Sequence, residues 1–128
     1  MEPKYYETLS DATRERLFTA MRKIDTRAQG YLNQGNKLGQ GTGMSIPVGA
    51  AHFDEIIRGS GLSAYLRALR KGECPTDAEK AAKTEARSII ASHNKQRAKD
   101  VCWQRADMAA DSVIEHAHRQ IIDAVINR

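Results

Sequence analysis

Asp111, Glu115 and His118 stand at i, i+4 and i+7, a spacing that sets two carboxylates and an imidazole on one helix face. Such a trio could carry general acid–base chemistry. The same spacing is also ordinary decoration of an acidic helix end. No nucleophile is marked nearby and no cofactor motif accompanies it, so the reading is not an enzyme. Metal chemistry is a second candidate. Glu115-His116-Ala117-His118 contains one Glu-x-x-His, whereas a di-iron bundle needs two such pairs and two further carboxylates. His116 and His118 diverge on a helix, and Cys74, Cys102, His52 and His93 include no pair at zinc-finger spacing. No metal and no cofactor are expected.

A third chemistry is polyanion binding. Between Lys80 and Arg105 the chain carries seven Lys/Arg against two acids, Glu85 and Asp100. On one straight helix Lys80, Lys83, Arg87, Lys95 and Arg105 would fall within about 120° of arc, beside the apolar stripe. A cationic ridge of that kind, with Arg97 and Lys99, can track phosphates and release their counterions. Lys37, Arg67, Arg70 and Lys71 would extend the path. Tyr5 and Tyr6 lie next to Lys4 in a polar segment, where their rings could stack on bases. Phe18, Tyr31, Tyr65 and Trp103 lie on apolar stripes and are expected in the core. The plain alternative for the ridge is a solvated helix face or a surface for an acidic partner.

These residues need elements to position them. At 128 residues, net charge +4 and pI about 9.2, the chain reads as one basic domain over 1–128. Leu17, Phe18, Met21, Ile24, Ala28, Tyr31 and Leu32 predict an amphipathic helix over 11–32, capped by Ser10 or Asp11. Five glycines punctuate 35–49, which predicts a flexible loop. It has neither a Walker ending nor G-x-G-x-x-G spacing, so a nucleotide site is not expected. Two short helices, about 48–58 and 61–71, are predicted to stop at Gly59 and Gly72. Cys74-Pro75-Thr76 reads as a turn, with Thr76 and Glu79 as a capping box. No Gly or Pro occurs after Pro75, so the tract 76–128 is helical. Its two stripes, Ala82 to His93 and Trp103 to Val125, are out of phase, which favours a break or kink near His93–Arg97. No strand pattern occurs, and the fold class is all-α: a helical bundle with a long or kinked C-terminal arm.

Large apolar residues number 28, a thin supply for a chain that must bury roughly two-thirds of its unfolded surface. A homo-oligomer that completes its core across an interface is therefore expected. No apolar run approaches the ~20 residues of a membrane span. The first ten residues have acids and tyrosines where a signal peptide has a basic and then an apolar region. The expectation is a cytoplasmic protein with no membrane partner.

Two likenesses add to this reading. The run Ile56 to Gly72, with Gly61-Leu62-Ser63 and Tyr65-Leu66-Arg67, resembles helix-turn-helix and ribbon-helix-helix proteins. That likeness implies that Ser63, Arg67, Arg70 and Lys71 face duplex DNA. The run departs from both patterns: Arg67 stands where a helix-turn-helix has an apolar residue, and a glycine loop stands where a ribbon is needed. In overall make-up the chain is similar to small phage-encoded, all-helical single-stranded-DNA-binding proteins that assist transcription or replication. That similarity implies nucleic-acid binding with single strands slightly favoured, and a transcription or replication protein as a further partner. The rival expectations are an oligomeric helical adaptor without nucleic-acid binding, and a duplex-binding regulator using 56–72.

Overall fold

Ser10 opens the first helix. Its Oγ accepts the Thr13 backbone N–H at 3.3 Å, and its carbonyl accepts from Arg14 N–H at 2.8 Å. The structure is a computed structural model and describes residues 4–40, 46–94 and 101–126, with side chains over 4–37, 53–92 and 105–126. The described elements are a single 3-10 turn, Tyr5–Thr8, and the helices α1 Asp11–Gln40, α2 Ile46–Arg70, α3 Pro75–Asn94 and α4 Val101–Ile126. No strand occurs among the described residues.

The expected all-α class is what forms, but several boundaries differ. α1 does not end at 32, where the apolar spacing places its end; it runs on to Gln40, through Gly35. Residues 46–49 of the expected glycine loop lie in α2, and 41–45 lie outside the described residues. α2 does not break at Gly59. A Cβ there would sit 2.6 Å from Leu32 Cγ and 3.0 Å from the Ala28 carbonyl, so the missing side chain lets two helices touch. Gly59 is a packing residue, and the helix passes through it. This continuity also removes the turn that a helix-turn-helix over 56–72 requires.

α2 ends at Gly72, as expected. Gly72 takes φ +99°, its N–H donates to the Leu69 carbonyl at 3.0 Å, and Glu73 N–H donates to Ala68 at 3.1 Å. α3 then starts two residues earlier than the capping box at Thr76, with its first helical residue at Asp77, implied. Pro75 is its first residue, and the Cys74 carbonyl accepts from Ala78 N–H at 2.9 Å. Proline suits that position because its missing donor would have had no partner there.

α1 and α2 pack antiparallel: Gly35 meets Ile56 and Gly59 meets Leu32. α3 and α4 also pack against each other, antiparallel, as the pairs Lys83–Glu115 and Arg87–Asp111 require. The expected break in the C-terminal tract is therefore a helix hairpin, with its connection at 95–100 outside the described residues. α2 and α4 touch each other and both flanking helices, which makes them the central pair. The core is rich in alanine: Ala78, Ala82 and Ala86 of α3 meet a layer with Ala106, Ala110 and Ala117 of α4. Small residues bring helix backbones close, so dispersion contacts accumulate without many large side chains. Tyr65, Leu17, Ile24, Ile57, Leu62, Leu66, Ile114 and Ile121 fill the remainder and are almost wholly buried. Among the described residues no helix is long and apolar enough to cross a membrane.

Candidate nucleic-acid interface

The hairpin changes what the basic tract can present. Lys83 and Arg87 reach across to acids of α4, Arg87 while still exposed to solvent. Lys83 Nζ lies 3.0 Å from Glu115 Oε1, and Arg87 reaches Asp111 Oδ2 at 2.9 Å and Asp107 Oδ1 at 3.8 Å. The hydrogen bond to Glu115 raises the Lys83 pKa; burial opposes it, and Glu79, Glu115 and Asp111 add to the rise. Both cations are thus engaged with the acids that follow in sequence. Among the described residues Lys80, Lys83 and Arg87 of α3 do not share one straight helix with Arg105, which lies on α4. Lys80 remains exposed. Arg105 turns to α2, where its Nη2 lies 3.2 Å from Asp54 Oδ2. Asp54 is buried, and its Oδ1 has no hydrogen-bond partner among the described residues. Lys95, Arg97 and Lys99 lie outside the described residues.

The acid–base trio is dispersed by the same packing. Asp111 and Glu115 are held in the ion pairs above. His118 turns inward, with Nδ1 3.0 Å from the Tyr65 hydroxyl and the two rings edge-on at 6.1 Å. Burial raises the Tyr65 pKa, with smaller contributions from Glu79, Tyr5 and Cys74. Tyr65 is thus a neutral phenol whose one polar tip is satisfied by an imidazole. An open groove of about 440 Å³ borders this pair, lined by Glu79, Lys83, Glu115, His118, Arg119 and Ile122. No group of His, Cys, Asp and Glu suited to a metal ion occurs among the described residues.

At the C-terminal end of α2, the end that carries Tyr65, the fold joins residues that are far apart in sequence. Tyr5 N–H donates to the Gly72 carbonyl at 3.0 Å, which pins the N-terminal 3-10 turn against the end of α2. Lys4 packs against Gly72, where an added Cβ would lie 2.7 Å from Lys4 Cβ. Arg67, Arg70 and Lys71 are exposed on the last turn of the helix that Gly72 terminates. Arg70 also reaches Asp25 of α1 at 3.8 Å, while Arg67 and Lys71 have no ion-pair partner among the described residues. Tyr5 and Tyr6 are half-buried. Burial, and secondarily Cys74, raise the Tyr5 pKa. Tyr6 packs edge-on to Phe18 at 5.7 Å, with Lys4 Nζ 5.8 Å from its ring centroid. The tyrosines are thus anchored rather than trailing, with part of each ring left to solvent. Arg14 fixes the turn further, donating to the Tyr6 and Leu9 carbonyls at 3.1 Å each.

Lys37, the remaining expected phosphate contact, is exposed on the last turns of α1. It is not alone there. Arg22, Lys23 and Arg27 also point outward from α1, three cations that do not stand out in the sequence. Their signal was diluted, because residues 1–34 hold six bases and five acids and look balanced. Only helix phase separates the two signs. The chain matches no family model, and no curated protein or solved structure shows significant similarity to it.

Proposed function

We propose that this chain is a nucleic-acid-binding protein that favours single-stranded DNA and acts as an accessory factor in transcription or replication, as a homo-oligomer. One observation carries the reading: the hydrogen bond from Tyr5 to Gly72 holds Lys4, Tyr5 and Tyr6 at the end of α2 that carries Arg67 and Arg70 and is followed by Lys71. Cations beside partly open aromatic faces match what a single strand offers, a phosphate backbone and unpaired bases. Lys80 and Lys37, both exposed, extend the cationic surface, and Lys95, Arg97 and Lys99 would add to it. Duplex reading through 56–72 loses its main support, since α2 is one helix there.

The test is fluorescence anisotropy with labelled single-stranded and duplex DNA of equal length over a salt series. Tighter binding of the single strand is the expected result, with a slope of about −0.7 per phosphate engaged. Tyr5→Leu keeps the apolar contact and removes the aromatic face. It should weaken single-strand binding by about tenfold while leaving the salt slope unchanged, since one lost stack is worth about 1–3 kcal/mol. A helical adaptor is the second reading, and the pairing of Lys83 and Arg87 with α4 acids favours it, since much of the cationic tract then serves the fold. No binding of either DNA at low salt would decide for the adaptor.

A further inference from the structure

The outward face of α1 from Thr19 to Lys37 is a separate surface. Over Arg16–Gln40 the only acid is Asp25, and it is half-buried toward Arg70 of α2. Arg22, Lys23, Arg27 and Lys37 are all exposed, and they fall within about 140° of arc at 3.6 residues per turn. None of the four makes an ion pair among the described residues; Arg22 donates to Thr19 Oγ1 at 3.2 Å. Between them stand exposed amides, Gln29, Asn33 and Gln34. The face is about 27 Å long at 1.5 Å per residue. A groove of about 370 Å³ runs along its start, between α1 and α4, with Lys23 and Gln120 on its walls and Asp123 as its one carboxylate.

Gly30 lies in the middle of this face. Gly35, Gly59, Gly61 and Gly72 each have a neighbour that a Cβ would crowd, but a Cβ at Gly30 would meet nothing within 4 Å. Gly30 is exposed in a helix interior, where alanine would favour the helix. The fold itself therefore gives no reason for a glycine there. A glycine on a helix surface does leave the backbone open to close approach by a ligand.

We infer that the α1 face Arg22–Lys37 is the main track for the phosphate backbone of a single DNA strand, which passes closest to the helix at Gly30. This rests on the nucleic-acid reading above, which uses Lys37 alone of this face, and adds Arg22, Lys23, Arg27 and Gly30 to it. Charge complementarity selects the occupant, because a run of cations and amides, with its one acid Asp25 turned to Arg70, matches repeated phosphates and base edges.

The experiment compares wild type, the triple variant Arg22→Glu/Lys23→Glu/Arg27→Glu and the double variant Arg67→Glu/Lys71→Glu, in anisotropy titrations with a labelled oligothymidine over a salt series. Circular dichroism confirms that each variant is folded. The triple variant should bind at least about tenfold more weakly, with a salt slope shallower by about 2. A triple variant that binds like wild type while the double variant weakens would overturn this track and leave the broader reading standing. A wild type that binds no oligothymidine at low salt would overturn both and point to an acidic protein. Gly30→Ala tests the close approach separately. It should raise the melting temperature by about 3 °C and still weaken binding severalfold. A raised melting temperature with unchanged affinity would sink the approach at Gly30.

Discussion

Tyr65 and His118 each carry an apolar body and a polar tip, and each tip settles the other. The consequence is a pH dependence with a definite sign. Burial holds the Tyr65 phenol neutral, its pKa raised above the ordinary value of 10.0. The unfolded chain therefore loses this proton first as pH rises. The stabilisation is complete below about pH 10 and falls above it, by about 1.4 kcal/mol per pH unit for one group. Tyr5 and Lys83, also shifted upward, act in the same direction. Tyr65→Phe isolates the buried phenol. It should cost about 1 kcal/mol at neutral pH, the net worth of one hydrogen bond. It should also give a shallower loss of stability between neutral and strongly alkaline pH. Urea unfolding midpoints across that range measure both effects, and parallel curves for the two proteins would contradict this account of Tyr65.

Among the elements, the glycines separate what could be read in advance from what could not. Gly59→Ala should destabilise by about 1–2 kcal/mol, because crowding of Leu32 and the Ala28 carbonyl outweighs a helix-propensity gain below about 1 kcal/mol. Thermal melts would show the reverse order from Gly30→Ala, which gains the propensity without the clash. Sequence gives both residues the same letter, so a helix stop at Gly59 was the natural expectation. What decides between a stop and a passage is the residue across the interface, and a single sequence does not contain that pairing. Apolar periodicity was legible for the opposite reason: Leu17, Met21, Ile24 and Ala28 report their own burial through spacing alone, and all four are buried. The hairpin of α3 and α4 was legible as a phase shift between two stripes. The fate of Lys83 and Arg87 was not, since it depends on the register of that hairpin. Of the candidate site, the clusters at Tyr5–Tyr6 and Arg67–Lys71 could each be seen, but their meeting depends on Gly72 turning the chain. The α1 cations were hidden by counting charge along the chain rather than around the helix.

The whole molecule sorts its charge by face. Carboxylates of α4 meet cations of α3, whereas α1 turns Arg22, Lys23, Arg27 and Lys37 outward, its one acid in that span, Asp25, being directed to Arg70. Lys83→Gln with Arg87→Gln should therefore lower the melting temperature by a few degrees, each partly exposed pair contributing about 0.2–1 kcal/mol. The same double variant should leave DNA affinity within about twofold of wild type, a mismatch between stability and binding that the anisotropy assay can read. The order of the helices has a kinetic consequence. α1 packs on α2, α2 on α3 and α3 on α4, so most of the fold forms between chain neighbours. Such low contact order allows folding within microseconds to milliseconds. A hydrogen bond that spans 108 residues joins the first helix to the last, where Arg16 Nε donates to the Ala124 carbonyl at 3.2 Å. Closing that loop carries a large entropy penalty, so it forms late, after the hairpins have shortened the effective loop. A ribosome making this chain would release the α1–α2 hairpin, with its cationic face, before α4 has been synthesised to flank it.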